Sequence, residues 1–110
     1  MRGRVVSGRS MNGRERIAQL LDAIVGRARA LLDGGGLPPE EASNVMMFYV
    51  LAHHLLSATR AADQPLNPAA LVGGLRQLQA RCAGTLADQR SPIQEAMDEA
   101  ESVDWDYRTA

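Results

Sequence analysis

The stretch "NVMMFYVLAHHLL", residues 44–56, decides how this chain folds. Eight apolar or aromatic side chains stand unbroken from Val45 to Ala52, and two adjacent histidines and two leucines follow. Such a run fits a membrane span, a buried helix, a metal site or a contact surface. A span needs about 20 consecutive apolar residues. Here the run from Val45 to Ala58 covers fourteen and is interrupted by His53, His54 and Ser57. The membrane reading therefore falls, and a helix remains. On a helix, Val45, Phe48, Tyr49, Ala52 and Leu56 form one stripe, while Met47, Val50 beside Leu51, His54 and Ala58 form another. A surface helix normally buries one stripe of about 100°. This one is apolar nearly all round in its middle turns, so it is expected both to fill a core and to leave a flank open.

Working outward, "LPPEE" at 37–41 opens this helix. Pro39 suits the first helical position, where a missing amide hydrogen costs nothing. Glu40 and Glu41 complement the positive end of the helix dipole. The helix is expected to end at Arg60 or Ala61, before "DQPLNP". Upstream, Ile17, Leu20, Leu21, Ile24, Val25, Ala28, Leu31 and Leu32 recur at helical spacing. Asn12 with Glu15 has the form of a capping box at the start of that helix. "DGGG" at 33–36 ends it, with Gly34 expected in the left-handed conformation.

Downstream, Asn67 and Pro68 read as cap and first residue of a third helix, with Leu66 and Leu71 at the positions of a hydrophobic staple. Its stripe is Leu71, Leu75, Leu78, Cys82 and Leu86. Gly73 and Gly74 inside it each cost roughly 1 kcal/mol relative to alanine; close approach of another helix is the expected compensation. Ser91 and Gln94 form a second capping box, with Pro92 at the first position of a short acidic helix running from 92 to about 102. The resulting expectation is an all-α fold, a small antiparallel bundle of three main helices plus a short C-terminal one. The helical domain spans residues 12–103, between a flexible basic arm at 1–11 and an acidic, aromatic tail at 104–110.

Composition agrees with helices: aromatics are 4 % of 110 residues, and Ala and Leu outweigh β-branched residues. All twelve basic residues are arginine. Residues 1–16 carry five arginines against Glu15, and residues 88–110 carry seven acids against Arg90 and Arg108. Arms of this kind are most often solvated ends of a chain. Cys82 is the only cysteine, so no internal disulfide is possible and a reducing, cytoplasmic setting is the expectation. No apolar segment of the secretory kind follows the N-terminal arginines.

Catalytic chemistry is not legible. His53 and His54 are neighbours and diverge by about 100° on a helix, so they do not chelate one metal, and a zinc site needs four ligands. No glycine elbow presents a serine nucleophile, and no lysine follows a glycine-rich loop. Neither a metal nor a cofactor is expected, and the expected role is non-enzymatic. A DNA-reading third helix would begin "PAALVGGL", with nothing to offer base edges before Arg76 and Gln77. Direct nucleic-acid binding is therefore not expected.

What remains is protein contact. Met46, Met47, Phe48, Tyr49, Leu51 and His54 are the expected partner-binding residues, because large, flexible or aromatic side chains dominate such contacts. Val45 and Leu55 are assigned to holding the bundle. Self-association, most simply as a homodimer, is expected from the excess apolar area at 45–56. "GLPPEE" at 36–41, with His53 fourteen positions after Pro39 and Leu56 three further on, resembles the start of the main helix in small quorum-sensing antiactivators of the TraM and QslA type. That resemblance implies a helical regulator that binds a LuxR-type transcription factor and blocks its action on DNA. From the residues alone, a helical adaptor or secretion-type chaperone that shields a client helix stays open beside it.

Overall fold

The computed structural model describes residues 13–61 and 63–102. The basic arm, the Asn12 cap and the acidic tail lie outside the described residues. Four α-helices and one short 3-10 helix make up the fold, and no strand occurs among the described residues.

Helix α1, Gly13–Gly34, buries Ile17, Ala18, Leu21, Ile24, Val25 and Ala28 along one face. Its stop differs by one residue from the sequence expectation. Gly34 is still helical, and the left-handed residues are Gly35 (φ 72°) and Gly36 (φ 79°). The Gly35 amide donates to the Leu32 carbonyl at 3.3 Å. Either glycine can take that conformation, so composition alone does not choose between them.

Helix α2, Pro39–Arg60, begins where Pro39 permits, and Pro38 takes the cap position without a side-chain bond. Its core face is Val45, Phe48, Ala52, Leu55, Leu56 and Thr59. The buried Thr59 hydroxyl donates to the Leu55 carbonyl at 2.7 Å, so it carries no unpaired polarity into the core. At the C-terminus, Arg14 reaches across from the first turn of α1. Its guanidinium donates to the carbonyls of Thr59 (2.7 Å), in the last turn of α2 where carbonyls lose their intrahelical partners, and of Ala61 (2.7 Å) and Gln64 (3.1 Å) in the loop beyond.

Helix α3, Pro68–Ala80, is capped as expected: the Asn67 side chain accepts from the Ala69 and Ala70 amides. It is shorter than its apolar stripe. Cys82 and Leu86 are buried beside Leu71, Leu75 and Leu78 but lie beyond the helix end. A 3-10 helix, Gly84–Gln89, carries Leu86 and runs directly into α4, Arg90–Ser102. A left-handed glycine and a long-range contact hold the turn between them. Gly84 sits at φ +56°, and the Glu41 carboxylate, from the first turn of α2, accepts the next amide, Thr85, at 2.9 Å. A Cβ on Gly84 would stand 2.7 Å from that carboxylate oxygen. Ser91 is therefore no cap, since it lies inside a helix already under way. Gln94, instead of reaching back to it, accepts from Gln79 and donates to Asp98. The expected short C-terminal helix is present as α4, which starts two residues earlier than expected and at 13 residues equals α3.

Each helix runs antiparallel to its neighbours. The first turn of α1 meets the end of α2 through Arg14. Asn44, near the start of α2, exchanges hydrogen bonds with Arg81 just past the end of α3. Gln79, near the end of α3, donates to the Arg90 carbonyl and the Gln94 side chain at the start of α4. Arg16, early in α1, pairs with Glu95 of α4, and Arg27, later in α1, pairs with Asp88 just before it. Packing closes a ring in the order α1, α2, α3, α4 and back to α1, with α2 against α3 the sparsest side. Phe48, Ile17, Leu21, Ile24, Leu75, Leu78, Leu86 and Ile93 are fully buried at its centre. Each such side chain contributes on the order of 1.5–3 kcal/mol of hydrophobic stabilisation. The ion pairs lie on the exposed surface, where each is worth about 0–1 kcal/mol, so the core and not the charges holds the ring.

Candidate protein-binding face

Among the described residues α2 has packed neighbours only on the core side of its surface, and the 3.6-residue period sorts its apolar run into two sets. Val45 and Phe48 are 0 % exposed and Leu55 is 8 % exposed. Met46, Met47 and Val50 are about half exposed, at 48 %, 50 % and 57 %. Tyr49 and Leu51 are half-buried at the two edges, packed against the core, and His53 and His54 are exposed. The Tyr49 and His53 rings lie 6.0 Å apart in a tilted arrangement.

Five of the six residues expected to bind a partner thus reach the surface: Met46, Met47, Tyr49, Leu51 and His54. Phe48 does not. It is the largest of the fully buried side chains and belongs to the core. Aromatic character made it attractive, but its position, three residues after Val45 and four before Ala52, aligns it with the buried stripe. Val50 is the residue that sequence reasoning missed. It shares a stripe with Met47 and His54, and that spacing was the signal that places it at the centre of the open face.

On the α3 side this face drops into a groove of about 480 Å³, of a size suited to a ligand or a few side chains. Leu51, His54 and Leu55 of α2 line one wall, and Leu66, Leu71 and Gly74 line the other. Gly74 allows the two helices to approach, since a Cβ there would stand 2.6 Å from Leu55 Cδ2. Gly73 points to open space and has no such role. Among the described residues, no formally charged one lines the groove; its polar groups include His54, Gln64 and Gln77. Nor does any Asp, Glu, Lys or Arg occur between Ala42 and Thr59. The face and the groove together form one uncharged, largely apolar surface.

Other chemistry is sparse. Among the described residues, no three His, Cys, Asp or Glu side chains converge as a metal site would require. Cys82 is buried, with its thiol against the Leu78 carbonyl. Burial pushes its pKa up, against the opposing pull of Arg90, so the neutral thiol is favoured over the nucleophilic thiolate. No described helix is long and apolar enough to cross a membrane. Compared with family models, curated proteins and solved structures, the chain matches none.

Proposed function

We propose that this chain is a non-enzymatic regulator that works by gripping another protein on the outer face of α2 and in the adjoining groove. One observation carries this reading: Met46, Met47 and Val50 stand half exposed, side by side, on a helix face without a formal charge. Apolar surface of that kind is costly to leave in water and marks contact sites. Methionine adds adaptable, polarizable contacts, and the groove suits the apolar side of an amphipathic helix. The partner we propose is a LuxR-type transcription factor, held away from DNA, on the strength of the resemblance at residues 36–41, His53 and Leu56. The same surface also serves self-association, so a homodimer belongs to the proposal.

The groove favours one further reading, an adaptor or secretion-type chaperone that shields a client helix. A pull-down from the native cell separates the two, by recovering a transcription factor or a secretion component. The test of the site itself compares Met47→Arg with wild type. Met47→Arg is expected to lose the captured partner while shifting stability by no more than about 0.5 kcal/mol, as exposed substitutions do. Phe48→Ala is expected to cost about 3–5 kcal/mol in urea unfolding, because it empties the core. Undiminished capture by Met47→Arg would place the binding site elsewhere.

A further inference from the structure

We propose that the occupant of the outer face of α2 in the free protein is a second copy of the chain, paired antiparallel about a two-fold axis at Val50. This rests on the reading of that face as an interface, and it adds the partner and the geometry. The exposed residues are arranged evenly about Val50. Met47 and His53 stand three residues to either side, Met46 and His54 four, and Ser43 and Ser57 seven, all of them exposed. An antiparallel pairing through Val50 therefore lays the two methionines of each copy over the two histidines of the other. Thioethers pack favourably against aromatic rings, so this contact is better than methionine on methionine alone. Serine meets serine at both ends, and Val50 meets its own copy at the centre.

Charge selects the direction. The uncharged stretch 42–59 is bracketed by Glu40 at one end, with Glu41 turned away onto the Thr85 amide, and by Arg60 at the other. Antiparallel pairing brings the acidic end of each copy beside the arginine end of its mate, twice by symmetry. Parallel pairing would set Glu40 beside Glu40 and Arg60 beside Arg60, and like charges in proximity oppose association. Glu40 is exposed, and Arg60 holds only a loose, exposed ion pair with Asp22 at 3.8 Å, so both are available for the contact. The opposed helix dipoles favour the same direction. An isologous two-fold of this kind closes on itself and stops at two copies.

Sedimentation of the full chain at tens of micromolar is expected to show a dimer, and Val50→Arg is expected to give a monomer with an unchanged helical circular dichroism spectrum. Single cysteines then test the geometry, since Cys82 is buried and leaves the introduced thiol as the accessible one. Val50→Cys is expected to form a disulfide-linked dimer under mild oxidation, because residues on the axis meet their own copies. Ser43→Cys and Ser57→Cys are each expected to remain uncross-linked alone and to cross-link when mixed, since a disulfide needs Cα atoms within about 7 Å. A monomeric wild type overturns the proposal, and so does self-cross-linking by Ser43→Cys, the mark of a parallel pair. Partner capture by a monomeric wild type, lost in Met47→Arg, would leave the proposed function standing while removing this dimer.

Discussion

Gly73 and Gly74 are adjacent in α3 and have opposite surroundings. Both carry the entropic cost of glycine in a helix, about 1 kcal/mol each relative to alanine. At Gly73 nothing lies within 4 Å of an added Cβ. Gly73→Ala is therefore expected to raise stability by about 1 kcal/mol in urea unfolding. At Gly74 the new methyl meets Leu55 Cδ2 at 2.6 Å and Cδ1 at 3.1 Å, so the side chain must move or the helices must part. Overpacking of this sort costs about 1–3 kcal/mol, which cancels or outweighs the helical gain. Gly74→Ala is expected to be less stable than Gly73→Ala by at least about 1 kcal/mol. A double-mutant cycle with Leu55→Ala should show positive coupling, as contacting residues do. Equal stability of the two alanine variants would mean that Leu55 does not set the approach of α2 to α3.

At the level of whole elements, the sequence was informative wherever a boundary depends on neighbouring residues. Pro39, the Asn67–Pro68 pair and the glycine run at 34–36 mark their helix ends by backbone chemistry, and those boundaries hold to within a residue. Boundaries set by distant contacts were not legible. Between α3 and the 3-10 helix, Gly84 is a local signal, but the tie that holds the turn comes from Glu41, 44 residues before Thr85, and no local pattern announces it. The apolar run on α2 posed a related difficulty, since a helix apolar all round does not say which side faces the core. The spacing of Val45, Phe48 and Ala52 decides it only when the neighbours of α2 in the ring, α1 and α3, are in place. Arg14 is another long-range tie. Its three carbonyl contacts hold the end of α2 and the following loop to the start of α1. Hydrogen bonds from a charged donor are worth about 1.5–3 kcal/mol, and partial exposure puts this one near the lower end. Arg14→Ala is expected to cost about 1.5 kcal/mol. Arg14→Lys should recover only part of that, because an ammonium lacks the planar fork that spans several carbonyls. Full recovery by lysine, measured by denaturant unfolding, would reduce the contact to simple charge.

Across the molecule as a whole, the ring of helices is not evenly closed. α1 packs most extensively, on α2 and α4, whereas α3 is the least supported and meets α2 only sparsely. Local opening follows contact density, so amides of α3 are expected to exchange with solvent through lower-energy openings than those at 21–28 or 45–56. Native-state hydrogen exchange measures this, and uniform protection of all four helices would contradict it. The antiparallel ring has a further consequence for how the protein can be rebuilt. The chain enters at the start of α1 and leaves at the end of α4, and both points lie at one pole of the bundle. At the opposite pole, Gly35 and Gly36 make an exposed turn with left-handed backbone. A circular permutant that links the two ends and opens at this turn would keep every helix in the same ring while detaching α1 from α2 in chain order. The positions of the helices are set by packing around Phe48 and its neighbours, and the order in which the chain visits them is free to change.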